Sequence, residues 1–242
     1  MYIALRLLRD GAHTTITTRF PHDAMRRFSS LDDSTDWIHR LKIVGIDLRD
    51  PTQVVALADE VAAAGPLDIL INNAAQTVRR SPGAYSQLVE LESAPLPARP
   101  DGRALPEMVT FDRISEAHPA SIAGALKDHA VAHHDGESVE HAVAAQNAAS
   151  MTALALTNRS MTAGHASLDA HLAGMAVDAG GLLPDLQRTN SWTQKVEEVD
   201  PLELLEVQLC NSTAPFILIS RLRPAMRASS ARRKYVVNVS SM

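Results

Sequence analysis

Apolar residues fall along this chain in short, separated runs, and the spacing inside each run predicts its element. Ile3, Leu7 and Leu8 recur at helical spacing, and Gly11 stands where such a helix would end. Residues 13–19 (HTTITTR) are rich in β-branched side chains and predict a strand. A second apolar run, 41–47 (LKIVGID), ends in an acid, and a third, 67–71 (LDILI), stops at Asn72-Asn73-Ala74-Ala75. Both are too short for helices and branched enough for buried strands. Between them, residues 50–65 predict a helix, with Asp50 placed to cap it, Pro51 at its first position and Gly65 just past its end. Strand, helix and strand with tight joints describe a parallel βαβ unit, whose crossover is expected to be right-handed.

The pattern then changes. Residues 81–190 are rich in alanine, with prolines between Pro95 and Pro106 and scattered histidines, and read as part loop, part helix. Periodic apolar spacing resumes late in the chain. Asp200-Pro201 opens a helix through Leu204, Leu205, Val207 and Leu209, with acids in its first turn as the macrodipole favours. Pro215 lies where it would disturb helical hydrogen bonding, and residues 235–239 (YVVNV) form the last strand. The chain thus divides into residues 1–80, an insertion at 81–190, and residues 191–242.

Three stretches taken together resemble the short-chain dehydrogenase/reductase family. They are Asp47-Leu48 followed by a helix and LDILINNAA, then CNSTAPFILISRLRPAM (210–226), then YVVNVSSM (235–242). They stand in the family's order and cover roughly half of the chain. The family strand ends in Asn-Asn-Ala-Gly, where this chain has Ala75 in the last place. The resemblance implies an α/β, Rossmann-like doubly wound parallel sheet and an NAD(P)-dependent oxidoreductase. Such an enzyme moves a hydride between nicotinamide and a small carbonyl or alcohol substrate. It implies that Asp47 and Leu48 contact adenine and that Asn73, Ala74 and Ala75 lie against the cofactor. Asn211 would hold a helix kink and a water of a proton relay, and Ser241 would donate a hydrogen bond to the substrate oxygen as charge develops. For Asp47 the plainer role is to cap a turn, and for Asn211 a local bond inside a helix.

Arg19 ends the 13–19 strand. In a dinucleotide fold an acid there binds the ribose hydroxyls, whereas an arginine accepts the 2′-phosphate, so Arg19 favours NADP over NAD. A solvated arginine at a strand end is the other reading.

The family pattern is incomplete. No Gly-x-x-x-Gly-x-Gly or Gly-x-Gly-x-x-Gly occurs, and none of Tyr2, Tyr85 and Tyr235 has a lysine four residues on. Tyr-x-x-x-Lys is the family's acid/base pair. The first, sixth and seventh strands of the sheet are expected to be missing. In the order 3-2-1-4-5-6 the first strand is central, so its absence leaves an unfilled slot with unpaired edges. Neither the insertion nor the opening helix carries a strand pattern that would fill it. A marginally stable, truncated copy of an oxidoreductase is one expectation. A non-catalytic nucleotide-binding or protein-interaction remnant of the same fold is the other.

Composition narrows the partners. The 242 residues are 45% hydrophobic and 21% charged, as in ordinary globular domains. A net charge of −5 and a pI near 6.0 argue against nucleic acid or an anionic membrane as the main partner. Cys210 is the single cysteine, which excludes an internal disulfide framework. No apolar run reaches spanning length and nothing resembles a signal peptide, so a cytoplasmic location is expected. His129 and His133 stand four apart, near His134, Asp135 and His141. No glutamate follows the first histidine, so a solvated, His-rich face is preferred to zinc and no metal is expected. Whether the insertion is a lid or a homo-oligomer contact is open.

Overall fold

The computed structural model describes residues 1–76, 85–96, 105–111, 182, 189–190, 192–199 and 201–239. Their elements are, in chain order, α1 (Tyr2–Arg9), β1 (Thr14–Thr18), α2 (Pro21–Ser29), α3 (Ser34–Trp37), a 3-10 turn (Ile38–Arg40), β2 (Leu41–Gly45), α4 (Pro51–Ala63), β3 (Ile69–Asn72), α5 (Ser86–Ser93), β4 (Glu107–Thr110), α6 (Pro201–Gln208), a π turn (Leu209–Thr213), α7 (Ala214–Ala228) and β5 (Tyr235–Asn238). The fold is mixed α/β with small parallel sheets, in two compact units. One is Met1–Ile46 with Ser81–Leu186, the other Asp47–Arg80 with Gln187–Met242. Among the described residues no helix is long and apolar enough to cross a membrane.

In the first unit, α1 buries Leu5 and Leu8 and ends as expected at Gly11. That residue sits at φ +93, where a side chain would be strained. The N–H of Gly11 donates to Leu8 O at 3.1 Å and that of Ala12 to Leu7 O at 3.0 Å, closing the helix. The threonine-rich β1 pairs in parallel with β2, Ile16 opposite Ile43. Ile43 and Val44 are fully buried, so β2 is covered on both faces, as its continuous apolar run requires. Trp37 is buried at 1% exposure and meets Phe28 edge-on at 6.1 Å. Around that pair Leu8, Met25, Ile38 and Leu41 complete the core.

One expectation is corrected here. The 81–190 stretch contributes a strand: β4 pairs in parallel with β2, Lys42 opposite Glu107. Four residues after a proline are too few to display a period, which is why the sequence pattern hid it. With β1 on one edge and β4 on the other, β2 is the middle strand of three. Strands β3 and β5 form a separate two-stranded sheet.

The same stretch supplies α5, whose C-terminal turn is tied to α2. The α2 N-terminus has no side-chain cap of its own. Glu92 provides one, its carboxylate accepting from the N–H of His22 at 2.6 Å and of Asp23 at 3.3 Å. In return Arg26 donates to Leu91 O at 2.7 Å and Ala94 O at 3.3 Å, the carbonyls at the α5 C-terminus.

In the second unit α4 forms as its sequence predicts. The Asp50 carboxylate accepts from the N–H of Thr52 at 2.9 Å and of Gln53 at 3.3 Å, Pro51 occupies the first turn, and Gly65 follows at φ +121. Val54, Leu57 and Ala58 of α4 and Leu218, Leu222 and Ala225 of α7 are buried where these two helices pack. Strands β3 and β5 pair in parallel, Ile69 opposite Tyr235. Here the expected burial fails: Ile69, Tyr235, Val236 and Val237 are 40–47% exposed. Among the described residues this sheet has only two strands, so its apolar side chains lack the cover that a wider doubly wound sheet provides.

Candidate functional site

The second unit gathers four polar stretches into one hydrogen-bonded chain. It begins at Asp47, which is 3% exposed. The Asp47 N–H donates to Gln53 Oε1 at 3.0 Å. Its carboxylate accepts from Arg49, Nε at 3.0 Å on Oδ1 and Nη2 at 2.7 Å on Oδ2, and the Arg49 N–H adds a turn-closing bond at 2.9 Å. The same guanidinium reaches α6, where Nη1 donates to Glu206 Oε1 at 3.3 Å. Glu206 is 5% exposed, so Arg49 joins two buried carboxylates. Charges taken out of water in this way are tolerated only when paired and hydrogen-bonded.

From Glu206 the chain continues to the loop after β3. Gln76 Nε2 donates to Glu206 Oε2 at 3.2 Å. The Gln76 peptide group is then held from both sides by Asn211, whose Nδ2 donates to Gln76 O at 2.9 Å and whose Oδ1 accepts from Gln76 N–H at 2.8 Å. One backbone donor and one acceptor fix which way the Asn211 amide points. Asn211 therefore acts as a splint on the backbone that leaves the carboxyl end of β3.

The helix around Asn211 is displaced in a way the sequence explains. Pro215 has no N–H, so the Asn211 carbonyl loses the donor four residues on. The backbone responds with a π turn over Leu209–Thr213, in which the Ala214 N–H reaches Leu209 O, five residues back. Such turns interrupt helices locally and are frequent at functional sites.

Other expected site residues stand as follows. Asn73, Ala74 and Ala75 form an exposed loop after β3, whose two alanines offer little steric barrier to a ligand. Asn72 Nδ2 donates to Asn238 Oδ1 at 2.8 Å, an amide pair across the ends of β3 and β5. Leu48 is half-buried beside Asp47. In the first unit Arg19 donates from Nη2 to the Tyr85 hydroxyl at 3.1 Å, its guanidinium carbon 4.8 Å from that ring's centroid. Ser241 lies outside the described residues, as do His129, His133, His134, Asp135 and His141. Among the described residues no group of three metal-ligating side chains converges.

Sequence reasoning singled out neither Arg49, Gln53, Gln76, Glu206 nor Tyr85. A signal existed for Arg49, two residues after Asp47 and within reach of its own loop. None existed for Glu206, which meets Arg49 across 157 positions. No family model, curated protein or solved structure matches this chain.

Proposed function

We propose that this chain carries the dinucleotide-binding framework of a short-chain oxidoreductase, acting on a small carbonyl or alcohol with NADP preferred over NAD. The observation that supports this reading most is Asn211. It sits in a helix interruption and splints the backbone after β3, next to the Asn73-Ala74-Ala75 loop. The parallel pairings of β1 with β2 and of β3 with β5 agree with a Rossmann-like order in which those pairs are neighbours.

The residues present fit such a cofactor in part. Exposed Ala74 and Ala75 suit close approach to a ligand at the carboxyl end of a parallel strand. Arg19 suits a 2′-phosphate, since a guanidinium matches phosphate geometry. Leu48 is assigned to the adenine, along with Asp47, whose carboxylate Arg49 holds in place. The sequence offers no glycine-rich loop for the pyrophosphate. When bound, the dinucleotide supplies hydride chemistry. What this chain adds is Ser241 as a hydrogen-bond donor to the substrate oxygen and Asn211 as the support of the adjoining backbone.

Equilibrium titration of residues 1–242 with NADPH, NADH and AMP tests this. Saturable binding in the order NADPH, NADH, AMP supports the reading, and equal, non-saturating signals defeat it. A second reading, a non-catalytic interaction module, is favoured by the exposed apolar side chains of β5. It predicts concentration-dependent self-association with no dinucleotide binding.

A further inference from the structure

We infer that Tyr85 is a positioning residue for Arg19, so that the start of the 81–190 stretch sets the preference for a 2′-phosphorylated dinucleotide. This rests on the reading of Arg19 given above. Tyr85 takes hold of Arg19 twice. Its hydroxyl accepts from Nη2 at 3.1 Å, and its ring lies under the guanidinium at 4.8 Å. Phe20 adds a second ring, 5.7 Å from the same carbon, stacked on Tyr85 at 6.0 Å with 22° between planes. Both rings are buried, Phe20 at 7% and Tyr85 at 9% exposure, and Leu88 of α5 packs against them. A guanidinium over a desolvated ring gains more than one over an exposed ring.

This matters because a phosphate is read by a planar fork of N–H groups, and the plane must be presented correctly. An arginine side chain is otherwise rich in rotamers, and ordering it on binding weakens the affinity gained. Face contact with one ring and a bond to its hydroxyl fix the plane in advance. Tyr85 is itself held by its burial against Phe20 and Leu88, and the far end of the helix it leads into is fastened to α2 by Glu92 and Arg26.

The test is the ratio of NADPH to NADH affinity in the full chain, measured for wild type, Arg19→Ala, Tyr85→Ala and Tyr85→Phe. The inference expects Tyr85→Ala to lower the ratio about tenfold, toward that of Arg19→Ala, with NADH affinity held. Tyr85→Phe keeps the ring, so most of the ratio should be rescued. If Tyr85→Ala weakens both dinucleotides equally, Tyr85 is only part of the core and the inference falls alone. It also falls alone if Arg19→Ala collapses the ratio and neither Tyr85 variant moves it. If Arg19→Ala leaves the ratio unchanged, the 2′-phosphate reading fails and takes the inference with it.

Discussion

Replacing Arg49 by methionine removes one cation from between two buried carboxylates while keeping much of the side-chain volume. In the native protein its guanidinium makes contacts of 3.0, 3.2 and 2.7 Å with Asp47 and 3.3 Å with Glu206. Asp47 is 3% and Glu206 5% exposed, so water cannot simply replace the lost donors. Breaking a buried pair from one side costs about 3–5 kcal/mol, because the partner charge stays buried. For a unit of this size that corresponds to a fall in melting temperature on the order of 10–40 °C. Calorimetry with far-UV circular dichroism reads this for the transition of the second unit. Arg49→Lys should fall between, since an ammonium keeps the charge but not the forked geometry. Neutralising the acids as well, with Asp47→Asn and Glu206→Gln in the Arg49→Met background, should recover part of the loss. Should Arg49→Met melt within about 1 °C of wild type, the carboxylates are not dependent on Arg49 and the reasoning is refuted.

Three other outcomes follow from particular contacts. Asn211→Ala removes both bonds to the Gln76 peptide, so the Gln76 amide should exchange hydrogen about tenfold faster, and unchanged protection would remove Asn211 from its role as a splint. Gly45→Ala places a Cβ 2.9 Å from Pro21 Cγ and 3.1 Å from Thr110 Cγ2. That overpacking should cost about 1–3 kcal/mol in chemical denaturation, and no loss would mean that β4 and α2 give way freely. Arg9 bonds to Asp33 hold that carboxyl below its ordinary range, so its folded pKa is depressed. The stabilisation is then present above the unfolded pKa and lost as pH falls through the folded one. Asp33→Asn should therefore lower the melting temperature slightly near neutral pH, by a difference that shrinks steadily as pH falls below the ordinary carboxylate range, whereas a pH-independent difference would contradict the assignment.

Local chemistry was legible in the sequence and long-range pairing was not. Asp50, Pro51 and Gly65 announced α4 because capping and termination act within a few residues. Gly11 ended α1 for the same reason. β4 escaped notice because Met108 and Val109 are two apolar residues in a strand of four, below any period that could be read. The burial of β3 and β5 was overestimated because an apolar run says what a strand needs, not whether neighbours cover it. At the site, Pro215 foretold a disturbance near Asn211, since the missing N–H is written in the sequence. The Asp47–Arg49–Glu206 link was not, because residues far apart in the chain meet only once the helices are packed. Tyr85 stayed hidden likewise, 66 positions from the arginine it holds.

The most direct test of the central claim is the thermal unfolding of residues 1–242 with saturating NADPH, followed through Trp37. That residue is 1% exposed in the unit that carries Arg19, whereas Trp192 is 68% exposed and changes little on unfolding. A ligand that binds only the native state stabilises it by about 2.7 kcal/mol at a hundredfold excess over its Kd. The account predicts a cooperative Trp37 transition that moves up with NADPH and less with NADH. A transition indifferent to both would contradict it.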